Sequence, residues 1–262
     1  SDRYGFNNPD KEWDQKDIEY LLVGDSFAHG ACVNRPNDIA SVLRTLSSKS
    51  VLNLGYGSNG PILEYATLRE YLNSNVKKVI WIYYANDLKD LNTRIKDKTL
   101  LNYINNLNFT QNLKLKKNQI NDLARSHISD RLKVNKIEKV KNQTFKLKIF
   151  KFLKITYTRT LFFPKSPAAL PKFKNILELA KNLTNKNNSE LYFVYIPISE
   201  YKNDIANYNL VKDIVNELKI PFIDIQKEVH EKEDNVLEIF PYGVVGHFNE
   251  KGYRKVSEVI YK

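Results

Sequence analysis

The sequence predicts an α/β fold: a five-stranded parallel sheet covered by helices on both faces, with a basic, partly helical insertion after the third strand. Three observations predict it. Short apolar runs alternate with segments of helical periodicity, the rhythm of parallel strands joined by right-handed crossovers. The chain has 262 residues and 42% apolar content, enough for one large core and too much for wholesale disorder. The chemistry-bearing motifs fall after strands one, two and three and before the last helix. In an open parallel sheet those positions converge at the carboxyl edge, where ligands bind.

The elements follow in order. Residues 18–23 form an apolar run that enters the turn Gly24-Asp25-Ser26, so they read as a buried strand. Helical spacing at Ile39, Val42, Leu43 and Leu46 predicts a helix over 39–46. Residues 51–54 are a second strand, closed by a Gly-rich turn over 55–60. Pro61 then opens a helix to about Leu72, proline being favoured at a first helical position. Residues 78–84 are a third strand, apolar enough to be buried on both faces.

After Asn86-Asp87 the pattern breaks. Residues 91–172 are rich in Lys and Asn, and their apolar positions keep no single period. They read as an insertion with some helix within a single domain of residues 1–262. The rhythm returns with a helix over 173–183, a strand over 191–196, a helix over 205–218, a strand over 221–225 and a closing helix over 250–260. Five strands of this kind suit a three-layer, flavodoxin-like sandwich of order 2-1-3-4-5.

Composition excludes several classes of function. The lone Cys32 permits no intrachain disulfide. The histidines His29, His127, His230 and His247 are scattered and share no zinc spacing with it, so neither metal nor cofactor is expected. His127 and His230 read as solvated, His29 as half-exposed and Cys32 as packed. No stretch approaches the ~20 apolar residues of a membrane span. The sequence contains no Met, which suggests that the natural start has been removed; a leader or anchor could have stood upstream of it.

The net charge of +11 is local. Residues 111–175 carry 17 Lys/Arg against Asp122, Asp130 and Glu138, a balance of +14. Within it, 144–163 interleaves lysines with bulky apolar side chains. Such a segment suits a solvated helical excursion, a lid, or a face for an anionic membrane surface or an acidic glycan. Nucleic acid is disfavoured, because no binding module accompanies the charge.

Four sites carry chemistry. Gly24-Asp25-Ser26 lets the chain turn sharply and sets Ser26 at a helix start, where its N–H can face a developing oxyanion. Alone, the tripeptide favours an ordinary strand-to-helix turn with Ser26 as N-cap. The turn Asn53-Leu54-Gly55-Tyr56-Gly57-Ser58-Asn59-Gly60 offers backbone N–H groups at the same edge, although alone it fits a local β-turn. Asn86 ends the third strand with an amide donor, or a helix cap. His247, before the last helix, is a base of the kind a serine hydroxyl needs.

Taken together and in this order, Gly24-Asp25-Ser26, the turn near Gly57, Asn86 and His247 resemble the four blocks of the SGNH/GDSL hydrolase superfamily. The resemblance covers about residues 18–90 and 173–262. It implies a serine esterase with no cofactor or metal, in which Ser26 attacks an ester carbonyl and His247 moves the proton. The N–H groups of Ser26 and of Gly57 or Ser58, with the Asn86 amide, would hold the oxyanion. The family places Asp three residues before the histidine. Here that position is Val244, which leaves Asp224, Glu238 or a backbone carbonyl to orient the ring.

The expected substrate is an acyl ester, acetyl in the simplest case, of a carbohydrate or another small alcohol. An O-acyltransferase on an envelope glycan uses the same acyl-enzyme, and a binding domain that has lost the acid keeps only the fold. Residues 2–9 resemble the leader segment of envelope SGNH proteins, which implies a bacterial envelope or periplasmic setting; the cytoplasm is the alternative.

Overall fold

The computed structural model describes residues 1–141, 169–198 and 205–262. They separate into two compact units, residues 1–111 with 168–262 and residues 112–167. The first contains a five-stranded sheet: β1 (Ile18–Gly24), β2 (Val51–Asn53), β3 (Val76–Tyr84), β4 (Glu190–Ile196) and β5 (Phe222–Asp224). All neighbours pair in parallel, in the order β2-β1-β3-β4-β5. β1 is an interior strand between β2 and β3, with Leu21, Leu22 and Val23 fully buried.

Strand alternation divides the core into two layers. Leu22, Ile80, Ile82 and Val194 pack with Phe27 and Ala28 of α1 (Ser26–His29), with α2 (Ile39–Ser47) and with α10 (Glu250–Tyr261). On the opposite face Tyr83 and Phe193 pack against Phe173 of α7 (Ala169–Lys186), beside α3 (Pro61–Tyr71). Tyr195 meets Tyr208 of α8 (Ile205–Glu217). The helices start where their caps put them. Asp38 accepts from Ser41 N at 3.1 Å at the head of α2, Pro61 opens α3, and Asn249 accepts from Gly252 N at 3.0 Å at the head of α10.

Residues 91–111, read from sequence with the insertion, belong to this first unit. They extend α4 (Asp87–Arg94) and form α5 (Lys98–Asn105), which buries Leu100 and Tyr103. Asp97 caps α5 by accepting from Thr99 N and Leu100 N. The segment that follows is tied down by Arg69, which donates to the carbonyls of Tyr103, Asn106, Leu107 and Phe109.

In the second unit, α6 (Lys117–Lys141) exposes Ile120, Leu123, His127 and Ile128. The lysine-rich stretch 144–163 lies outside the described residues. No helix among the described residues is long and apolar enough to cross a membrane.

The chain ahead of β1 is folded as well. Asp2 accepts from Tyr4 N, Phe6 N, Asn8 Nδ2 and Trp13 Nε1 at 2.7 to 3.0 Å. Arg3 pairs with Asp10 and Asp14 at 2.8 and 2.7 Å. Tyr4, Phe6 and Trp13 cluster on Tyr71 of α3.

Candidate active site

The site begins with the turn that leaves β1. Gly24 has φ +154°, and a Cβ there would lie 2.5 Å from the Ile82 carbonyl oxygen of β3, so the crossing admits only glycine. The N-cap of α1 is Asp25, whose carboxylate accepts from Phe27 N at 2.9 Å; Ser26 is the first helical residue. The Ser26 side chain is half-buried, and Gly30 closes the helix in the left-handed region at φ +85°.

His247 arrives from the other end of the chain. Phe248 anchors it in the core between Phe27, Phe240 and Tyr253. The imidazole lies with its centroid 4.9 Å from that of Phe27, and its Nε2 is 2.7 Å from Ser26 Oγ. Residues separated by 221 positions thus form a nucleophile–base contact of hydrogen-bond length. Ser26 Oγ also lies 3.2 Å from Asp25 Oδ2.

The turn after β2 sits beside this pair. Tyr56 N donates to the Gly24 carbonyl at 3.2 Å, and a Cβ on Gly57 would lie 4.0 Å from Ser26 Cβ. Ser58 takes the left-handed conformation at φ +66°. Gly57 therefore faces the serine, while Ser58 holds the backbone geometry that usually selects glycine. His29 Nδ1 is 3.3 Å from the Gly55 carbonyl, and its ring meets Tyr56 edge-on.

Asn86 follows β3 and is exposed at the head of α4. Its amide donates to Asp90 Oδ2 at 3.3 Å, with no bond to Ser26. Neither acid considered for His247 hydrogen-bonds to it. Asp224 caps α9 (Ile225–Glu228) and accepts from Tyr208 Oη at 2.5 Å, while Glu238 pairs with Lys251 at 2.6 Å. Among the described residues, His247 Nδ1 has no acceptor. Two further expectations are corrected. His230 is buried between Phe240 and Phe248, and burial holds its pKa down to about 4. Cys32 is exposed, because φ +71° carries the chain outward after Gly30.

Sequence reasoning missed a group of buried carboxyls at this edge: Asp25, Glu64 and Asp87. Burial raises the pKa of Asp25, opposed in part by the Phe27 and Ser26 donors. Glu64 and Asp87 are pushed well above the carboxylate range, by burial first and then by neighbouring carboxyls. Neither oxygen of Glu64 has a hydrogen-bond partner in good geometry; Asp87 accepts from Tyr84 N at 3.1 Å through one oxygen only. The available signal was the spacing of Glu64 with the buried Leu68 and Tyr71, which puts it on the core face of α3. Among the described residues no group of three His, Cys, Asp or Glu is arranged to hold a metal ion.

No protein-family model matches the sequence, and no curated protein is significantly similar to it. Solved structures match it in fold. A G-D-S-L family protein from Desulfitobacterium hafniense superposes with a TM-score of 0.53 at 14% identity, over 94% of this chain and 98% of that one. A lipase/acylhydrolase from Enterococcus faecalis does so at 0.52 and 12% identity, over 93% of each chain. The acetylxylan esterase Axe2 of Geobacillus stearothermophilus reaches 0.48 at 13% identity, over 94% of each chain. The sheet order and the span of the first two superpositions give this chain the fold that those two proteins share.

Proposed function

We propose that the protein is a serine ester hydrolase that removes acyl groups, acetyl in the simplest case, from a carbohydrate. The observation that carries this reading is the 2.7 Å contact between His247 Nε2 and Ser26 Oγ. As Ser26 Oγ attacks the ester carbonyl, His247 Nε2 takes its proton and then delivers it to the leaving alkoxide. A water molecule, activated by the same nitrogen, attacks the acyl-enzyme and releases the acid. The tetrahedral oxyanion is held by the Ser26 N–H, by the turn at Gly57 and Ser58, and by the Asn86 amide once it swings from Asp90. Each such donor is worth about 10²–10³ in rate.

Two exposed tyrosines near the site residues in sequence support the carbohydrate. Tyr56, more than half exposed, adjoins Gly57, and the fully exposed Tyr242 lies five residues before His247. Exposed aromatic faces of this kind stack on the C–H face of a sugar ring.

The first test is release of p-nitrophenol from p-nitrophenyl acetate by the wild type and by Ser26→Ala. Activity that disappears in the variant establishes Ser26 as nucleophile; activity that survives rejects the reading. Product analysis with acetylated oligosaccharides, with and without an acceptor glycan, separates hydrolysis from acyl transfer.

A further inference from the structure

β2 is an edge strand, and an edge strand ordinarily presents unpaired N–H and C=O groups. Here all four outward groups of Val51 and Asn53 are satisfied by side chains. Glu12 accepts from Val51 N at 3.2 Å, and Arg44 donates to Val51 O at 2.6 and 3.1 Å. The Asn8 side chain then takes both backbone groups of Asn53. Its Oδ1 accepts from Asn53 N at 2.8 Å, and its Nδ2 donates to Asn53 O at 2.9 Å. Two more bonds fix that amide, one from Arg44 Nη2 and one to Asp2 Oδ2, both at 2.8 Å. Asn8 is 1% exposed and makes the four hydrogen bonds its amide allows.

Asn53 is the joint between the two halves of the candidate site. Its Nδ2 donates to the Ala28 carbonyl of α1 at 2.7 Å, and its Oδ1 accepts from Gly55 N at 2.8 Å. One side chain thus ties the helix that starts at Ser26 to the turn that carries Gly57 and Ser58. Asn7 adds a bond from the same leading segment to His29 O at 2.8 Å.

We propose that Asn8 is a positioning residue for the reaction: through Asn53 it sets the oxyanion turn against the nucleophile helix. The catalytic consequence rests on the serine-esterase reading above; the structural consequence does not. Residues 1–14 form a strap in which Asn8 and Glu12 stand in for a sixth strand beside β2, and the contribution of Asn8 to rate is geometric. Misplacing reacting groups by about 1 Å costs about 100-fold.

The experiment compares the wild type with Asn8→Ala by residue-resolved amide hydrogen exchange and by p-nitrophenyl acetate kinetics. The expected result is faster exchange at Asn53, Gly55, Gly57 and Ser58 with β3 and β4 unchanged. It is accompanied by a kcat lower by about 10- to 100-fold and a KM within about twofold. Arg3→Ala, which loosens the outer ion pairs of the strap without touching β2, keeps the wild-type kcat. If Asn8→Ala does not fold, Asn8→Asp, which keeps the acceptor and loses both donors, gives the same local exchange signature. Unchanged exchange at 53–58, uniform loss of protection throughout the sheet, or an unchanged kcat with a loosened turn overturns the proposal. Should the wild type neither hydrolyse the ester nor be labelled at Ser26 by a fluorophosphonate, the esterase reading fails, and exchange alone decides the strap.

Discussion

His247 faces Ser26 with one ring nitrogen and, among the described residues, has no carboxylate bonded to the other. On the esterase reading, an imidazolium formed during attack would have no charged partner at Nδ1. Val244 occupies the position where the family places its acid, and its side chain is 68% exposed, so a polar replacement there meets no core. Val244→Asp is expected to raise kcat on p-nitrophenyl acetate by about tenfold, with no change when it is combined with Ser26→Ala. Steady-state kinetics of the two variants check this. That Ser26 and His247 would meet at one edge of the sheet was legible in the sequence, because each sits in a short motif at a strand end or helix start. That Asp224 and Glu238 would not reach the ring was not, because the groups that hold them, Tyr208 and Lys251, are set by tertiary packing. His230 was misread for a similar reason: its neighbours in sequence are polar, while Phe240 and Phe248, which bury it, come ten and eighteen residues later.

The turn after β2 is pressed directly onto α1. A Cβ at Gly55 would lie 2.4 Å from Ala28 Cβ and 2.6 Å from His29 N, so the helix itself would have to move. Gly55→Ala is expected to destabilise the protein by about 1–3 kcal/mol, as overpacking does. It should also slow fluorophosphonate labelling of Ser26 in the protein that remains folded. Thermal unfolding and labelling rate measure the two effects. Five strands and the helices α2, α3, α7, α8 and α10 were readable because their apolar residues keep a period. α4 and α5 were not. They bury Leu91, Leu100 and Tyr103 among lysines and asparagines, and the place of α5 comes from Arg69 and the Asp97 cap.

Across the molecule, buried titratable groups pull stability in opposite directions with pH. Glu64, Asp87 and Asp25 have folded-state values raised above their ordinary ones of 4.5 and 3.8. A raised value means the folded state binds the proton more tightly. Their contribution is therefore fullest below about pH 4 and declines as pH rises toward the folded values. His230 is the reverse: lowered from 6.5 to about 4, it supports the fold above 6.5 and withdraws that support as pH falls through this window. Glu64→Gln keeps the shape and removes the ionisable proton. It is expected to raise Tm at about pH 8 and to leave it nearly unchanged at about pH 4. Calorimetry at the two pH values tests the sign.

The strap along β2 also gives the molecule a mechanical character. A pull on the N-terminal residue meets the bonds of Asp2 first, then the amide of Asn8, then the backbone of Asn53 at the edge of the sheet, before it reaches the inner strands. Tension at that end is delivered through Asn53 to the turn beside the serine, so a tether attached there would act as a lever on the spacing between Ser26 and Gly57.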